Sequence, residues 1–220
     1  MRISQVFAAS LLAFVLLVTL SAGAASLPVT SYSMYNGAHS SFDYRDFTYV
    51  SCNSVCDVTG AALSGGTGKL TDGVSPSLSW YQYGESTPWV GWDYTQLNGL
   101  NPTVRFFFGS TVTISSVTVW VDNSIAAGGV YLPSGVSIDG NLFAIAPDNV
   151  NLDPRGYTFS GLNITDNTVD VQFFQTSGVN WIMVGEVGFN GTSTPEPSSL
   201  LLLGTGLLGA VGVIRRKINL

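Results

Sequence analysis

Few residues in this chain of 220 could carry out bond-breaking chemistry. The one histidine, His39, stands in a polar stretch beside Ser40 and Ser41. A Ser-His-acid site needs its nucleophile on a fixed elbow, and no G-x-S-x-G occurs. Paired carboxylates for glycoside cleavage must face one another across a sugar. Most acids here sit beside Asn, Gly or Pro in turn-like contexts, and no pair is marked out. These residues argue for a chain that is not an enzyme. The only cysteines, Cys52 and Cys56, are four apart in CNSVC. No further thiols or histidines crowd around them to complete a metal site, and a redox dithiol has tighter spacing, so the pair reads as a loop-closing disulfide of an oxidising compartment.

A different chemistry is offered by the aromatics. Trp80, Tyr81, Tyr83, Trp89, Trp92 and Tyr94 fall within one short segment. Flat rings stack on the apolar faces of sugars, and large aromatics also fill cores, so the segment allows both a binding platform and an interior. Pro88 and Asn98-Gly99 flank WVGWDY with turn residues, which makes Trp89, Trp92 and Tyr94 the candidate ligand-binding rings.

The elements that would position these residues are strands. Val104–Phe108 is a compact apolar run, and Val112, Ile114, Val117, Val119 and Val121 alternate with polar residues, with a break in phase at Ser115-Ser116 that suggests a bulge. Further strands are predicted over 128–138, 141–146, 157–164, 168–174 and 181–189, separated by Pro, Gly, Asn and Asp. Phe42, Tyr44, Phe47 and Tyr49 suggest an early strand over 42–50. No helical period runs through the body. Many short strands at this spacing predict an all-β sandwich or jelly roll.

Both ends are set apart from this body. Met1-Arg2, the apolar stretch 6–20 and Ala22-Gly23-Ala24 have the order of a secretory signal peptide, placing cleavage after residue 24. At the other end Pro195-Glu196-Pro197 precedes an apolar run, 200–214, and then Arg215-Arg216-Lys217. Such a run is short for a membrane span but has no polar face, and the basic cluster would stay cytoplasmic. The body is then 25–194, one domain of ordinary size, and the sorting segment is 195–220. Within the body Arg45, Lys69, Arg105 and Arg155 face 13 acids, a net charge of −9. A surface this acidic repels phosphate backbones, which excludes nucleic acid as a partner and leaves neutral polysaccharides and divalent cations.

The tail, with PEP, a Leu/Gly-rich span and a terminal Arg-Arg-Lys in order, resembles the PEP-CTERM sorting signal. The resemblance implies membrane attachment through the C-terminal helix before processing, then recognition by an exosortase and cleavage near Pro195–Pro197. It further implies release or attachment at the surface of a Gram-negative bacterium, in association with exopolysaccharide and biofilm matrix.

Three pieces of the body resemble the galactose-binding-domain-like jelly roll of discoidin (F5/8 type C) modules and several carbohydrate-binding modules. They are Lys69-Leu70-Thr71-Asp72-Gly73, then 104–109 with 114–121, and the closing Trp181–Phe189 segment with Glu186. In that family a structural calcium often sits between the D-G loop and the last-strand glutamate. The resemblance implies Asp72 and Glu186 as carboxylate ligands, with the Lys69 carbonyl and Ser77 completing the shell. It also implies sugar binding by loops at one end of the sandwich. The sequence departs from the family pattern at Val74, where Asn or Asp is usual, and in the placing of Trp80. The expectation is an exported, non-catalytic, polysaccharide-binding protein. The alternative is a structural matrix or surface protein with no specific sugar, and a secreted glycan-active enzyme ranks below both.

Overall fold

The computed structural model describes residues 24–40, 42–52, 54–84, 87–99, 101–124, 127–146, 153–175, 181–193, 203–208 and 214. Residues 1–23 of the expected signal peptide, Pro195-Glu196-Pro197 and Arg215-Arg216-Lys217 lie outside the described residues. Residues 203–208 are helical. Among the described residues no helix is long and apolar enough to cross a membrane.

Among the described residues nine strands build the body: β1 (Ala25–Ser26), β2 (Ser31–Tyr35), β3 (Ala62–Gly66), β4 (Val90–Asp93), β5 (Thr103–Val121), β6 (Gly135–Ile138), β7 (Asn141–Ala144), β8 (Arg155–Phe174) and β9 (Trp181–Ser193). The protein is the all-β sandwich that the alternation predicts. Its organising unit is the long antiparallel pair β5 and β8, which belongs to both layers. Near Thr103 β5 lies between β2 and β8, whereas beyond Val112 it lies between β9 and β8. The chain continues outward through β6 and β7 on one side, and β4 and β1 pair with β9 on the other.

Two expected pairs of strands are therefore single strands. Val104–Phe108 and Ile114–Val121 merge because register shifts after Phe107 and after Ile114 absorb the irregular stretches. The second shift is the bulge expected at Ser115-Ser116, and it returns Val117, Val119 and Val121 to the core face that Val104, Phe106, Val112 and Ile114 occupy before it. The same logic joins 157–164 to 168–174 in β8, and β9 runs on past Phe189 to Ser193.

Three local expectations are corrected. Residues 42–50 form no strand. The segment is a looped connection with one isolated bridge, His39 to Asp43, and its rings split: Tyr44 and Tyr49 are buried while Phe47 is exposed. Only Gly135–Ile138 of the 128–138 expectation is strand, since a 3-10 turn occupies Ala127–Gly129. One turn of helix, α1 (Trp80–Tyr83), breaks the all-strand pattern. It is held by a reciprocal cap in which the Ser79 amide donates to Gln82 Oε1 at 2.9 Å, a device that satisfies otherwise orphaned donors. Cys52 and Cys56 are joined as a disulfide.

The core contains Phe106, Phe108 and Phe189 in edge-to-face contact, with ring centroids 5.0 and 5.1 Å apart across the two β5–β9 pairs. This geometry suits the ring quadrupoles.

Candidate functional site

Asp72 follows a 3-10 turn (Lys69–Thr71), and its carboxylate accepts from the Val74 amide at 2.8 Å, the local bond that makes Asp-Gly a turn signal. The chain after it lies flat on β9. A Cβ on Gly185 would meet Pro76 Cγ at 2.1 Å, so a glycine is required beside Glu186. This packing brings Glu186 to the D-G loop, where the Gly73 amide donates to Glu186 Oε2 at 3.2 Å. Partial burial and the neighbouring Asp72 charge push Glu186 up to about 8. Burial likewise raises Asp72, with Asp46 adding to the effect. Burial and the proximity of like charge both disfavour the ionised forms of these two carboxylates.

Ser77 and Lys69, whose side chain and carbonyl the resemblance adds to the shell, also make contacts of their own. The Ser77 amide donates to the Tyr83 hydroxyl at 2.9 Å. The Lys69 ammonium is buried, donating to the carbonyls of Arg45 at 2.7 Å and Trp89 at 3.3 Å, and it stands 4.0 Å over the Phe47 ring. Burial pulls it down to about 8. Its amide donates to Asp46 Oδ1 at 3.1 Å. Asp46 is fully buried, and the Tyr32 hydroxyl donates to its other oxygen. Among the described residues no cluster of three or more His, Cys, Asp or Glu could hold a metal. The donors that do converge, two carboxylates beside a tight turn, are the hard oxygen type that calcium takes.

Of the expected ligand-binding rings, Trp89 is 0% and Trp92 1% exposed, whereas Tyr94 is 42% exposed. The correction has a topological cause. Trp92 lies on β4, which pairs with β9 rather than standing in a loop, and Trp89 immediately precedes that strand. Trp92 stacks on Phe173 at 6.2 Å, and Trp89 packs with Tyr44, Val130 and Met183. The two indoles form no open platform.

A groove of about 890 Å³ opens instead on the outward face of the β3-β2-β5-β8 sheet, under a wall made by the β4–β5 connection. On its floor Arg105 stands opposite Ser33 on one side and Asp170 on the other. Its guanidinium donates to both Asp170 oxygens, through Nε at 2.7 Å and Nη2 at 2.6 Å. One register step away the Gln172 amide donates to Thr103 Oγ1 at 3.0 Å. Tyr35, the last residue of β2, is 62% exposed along the rim. Trp92 lies beneath and fixes this residue, its indole N–H donating to the Tyr35 carbonyl at 2.7 Å. From the wall, Gln96 Nε2 donates to the Asn36 carbonyl at 2.7 Å.

Of the residues that line the groove, the sequence marks Trp92 as a candidate ligand-binding ring but not Tyr35, Arg105, Asp170 or Gln172. A signal existed: Tyr35, Arg105, Asp170 and Gln172 each occupy the polar phase of a strand whose alternate residues are buried. What the alternation does not carry is which strands are neighbours.

The protein-family model of the PEP-CTERM protein-sorting motif matches residues 193–217. The chain thus ends in a sorting signal, which implies export and sorting to the bacterial cell surface. No curated protein matches the chain in sequence. Among solved structures, it is similar to the family 32 CBM of NanJ from Clostridium perfringens in complex with galactose, at 9% identity and a TM-score of 0.42, covering 76% of this chain and 99% of that one. A truncated AlyQ with CBM32 and alginate lyase domains gives 14% identity and a TM-score of 0.43 over 80% of this chain, which spans only 35% of that one. An F5/8 type C domain from Bacteroides fragilis gives 11% identity and a TM-score of 0.33, covering 47% of this chain and 72% of that one.

Proposed function

We propose that the protein is an exported, exosortase-processed surface or matrix protein of a Gram-negative bacterium whose β-sandwich binds polysaccharide without cleaving it. The observation that carries the binding reading is the groove: an exposed aromatic ring, Tyr35, beside fixed polar side chains on a rigid sheet. That combination of apolar face and few placed hydrogen-bonding groups suits a sugar. Among the described residues the groove lining holds a single carboxylate, Asp170, and Arg105 engages both of its oxygens. Glycoside cleavage needs two. The sorting tail supports the location, and association with exopolysaccharide or biofilm matrix follows as part of this proposal.

Calcium belongs to the same proposal as a structural ion. Asp72 and Glu186 would supply its carboxylates, with backbone carbonyls of the turn beside them. The ion would tie the D-G loop to β9 and take no part in any reaction.

One observation favours a second reading, a spacer or self-associating matrix protein with no specific sugar. The tryptophans nearest the expected loop platform are core residues. Retention of the purified full-length chain, in mild detergent, on a panel of immobilised polysaccharides separates the two. The measurement is made with calcium and with chelator. Retention on a glycan that is lost in Tyr35→Ala, with the melting temperature unchanged, is the expected result. No retention on any glycan in calcium would leave the spacer reading.

A further inference from the structure

We infer that the sheet-face groove takes an internal stretch of an uncharged polysaccharide, several linked sugar rings long, and that the Arg105–Asp170 pair excludes chains bearing carboxylates. This rests on the reading of the groove as a glycan site and goes beyond it to the length and charge of the chain.

The length follows from the register. The groove floor is drawn from four consecutive strands, with Ser64 on β3, Ser33 and Tyr35 on β2, Arg105 on β5 and Asp170 on β8. Three inter-strand steps of about 4.8 Å make the floor roughly 14 Å long across the sheet. A single sugar touches only a fraction of such a floor. The contacts are also spread along it, since Tyr35 lies toward one edge and Asp170 toward the other. A chain crossing the strands meets all of them, whereas a terminal sugar held at one end does not.

The charge follows from the pairing. Arg105 is the one strong cation among the described lining residues, and Asp170 the one acid. Their bidentate bond leaves the groove floor neutral while directing an unused guanidinium N–H and carboxylate lone pairs outward, since the fork of Arg has five donors and a carboxylate about four acceptor sites. A neutral sugar with adjacent hydroxyls offers an acceptor and a donor side by side and satisfies both without separating the pair. A uronate must compete with Asp170 for Arg105 or sit beside its charge. The body's net charge of −9 adds repulsion at longer range.

The test uses the full-length chain in mild detergent and calorimetric titration. The probes are gluco-, manno- and galacto-oligosaccharides from a single sugar to a hexasaccharide, and oligogalacturonates and oligomannuronates of the same lengths. The expected result is binding to a neutral series that tightens roughly tenfold or more from monosaccharide to tetrasaccharide as contacts accumulate. It should be insensitive to salt, and the uronates should bind at least tenfold more weakly. Asp170→Asn should lose neutral binding and gain salt-sensitive uronate binding. The swapped variant Arg105→Asp with Asp170→Arg, which keeps the pair and its neutrality, should still exclude uronates. Oligouronates bound more tightly than neutral chains by the native protein would overturn the inference while keeping the glycan reading. So would a monosaccharide that binds as tightly as a hexasaccharide. Failure of every sugar in both series to bind would overturn the glycan reading itself.

Discussion

Glu186 on β9 and Asp72 in the loop after the first 3-10 turn share one small region of surface, tied by the bond from the Gly73 amide to Glu186 Oε2 at 3.2 Å. Glu186 is held up to about 8. In the folded protein without a cation it therefore keeps its proton where the unfolded chain, at about 4.5, has lost it. Stability contributed by this group is complete below pH 4.5 and is lost as pH rises toward 8. With allowance for solvent screening of a half-buried group, the loss is roughly 1–2 kcal/mol. Calcium would favour the ionised form and reverse the slope. Thermal melts across this range in chelator should fall with pH, and in calcium they should rise or stay level. Identical profiles in both would remove the cation site.

Lys69 gives a dependence of opposite sign in an adjoining window. Burial lowers it from 10.5 to about 8, so below pH 8 it is charged in both states and the cost of burying the charge is fully present. Between 8 and 10.5 the unfolded chain holds the extra proton, so stability rises with pH. Lys69→Met abolishes that rise. It also strands the acceptors of Arg45 and Trp89, with an expected loss of about 1–3 kcal/mol at neutral pH by denaturant titration.

Trp92 and Tyr35 are linked by one hydrogen bond yet should respond differently to truncation. Trp92→Ala empties a fully buried site and should cost about 3–5 kcal/mol, and glycan retention should fall with it because Tyr35 loses its support. Tyr35→Ala removes an exposed ring and should leave the melting temperature within a degree or two, while retention on glycan falls. Equal destabilisation by both would assign Tyr35 to the fold rather than to a ligand.

Gly185 is a steric requirement. Its missing Cβ is filled by Pro76 at 2.1 Å, a ring packed against a strand backbone that cannot swing aside. Gly185→Ala should lift the D-G loop from β9 and lower stability by about 1–3 kcal/mol. It should also weaken any calcium response, which separates it from a change confined to the core.

The sequence shows the β character throughout because burial of alternate side chains writes a two-residue period into each strand, and the bulge in β5 appears as a break in that period. The Asp72–Glu186 meeting was legible only through resemblance to a known family, since 114 residues separate the two. The aromatic segment was misread for a physical reason. WVGWDY looks like a turn-flanked loop, but pairing with β9 turns its indoles inward, and strand pairing at long range leaves no mark on the segment itself.

By itself the sequence determined the address at the C-terminal end, the acidic charge, the disulfide and the strands' inner faces, because each depends on residue type or on neighbours a few positions away. Tertiary structure alone decided that Lys69 is an internal cation, that Trp92 supports Tyr35 from beneath, and that Arg105 meets Asp170 on the floor of a groove. Those relationships join residues 20 to 65 positions apart, and only the tertiary arrangement of the sheet and its loops brings such residues together.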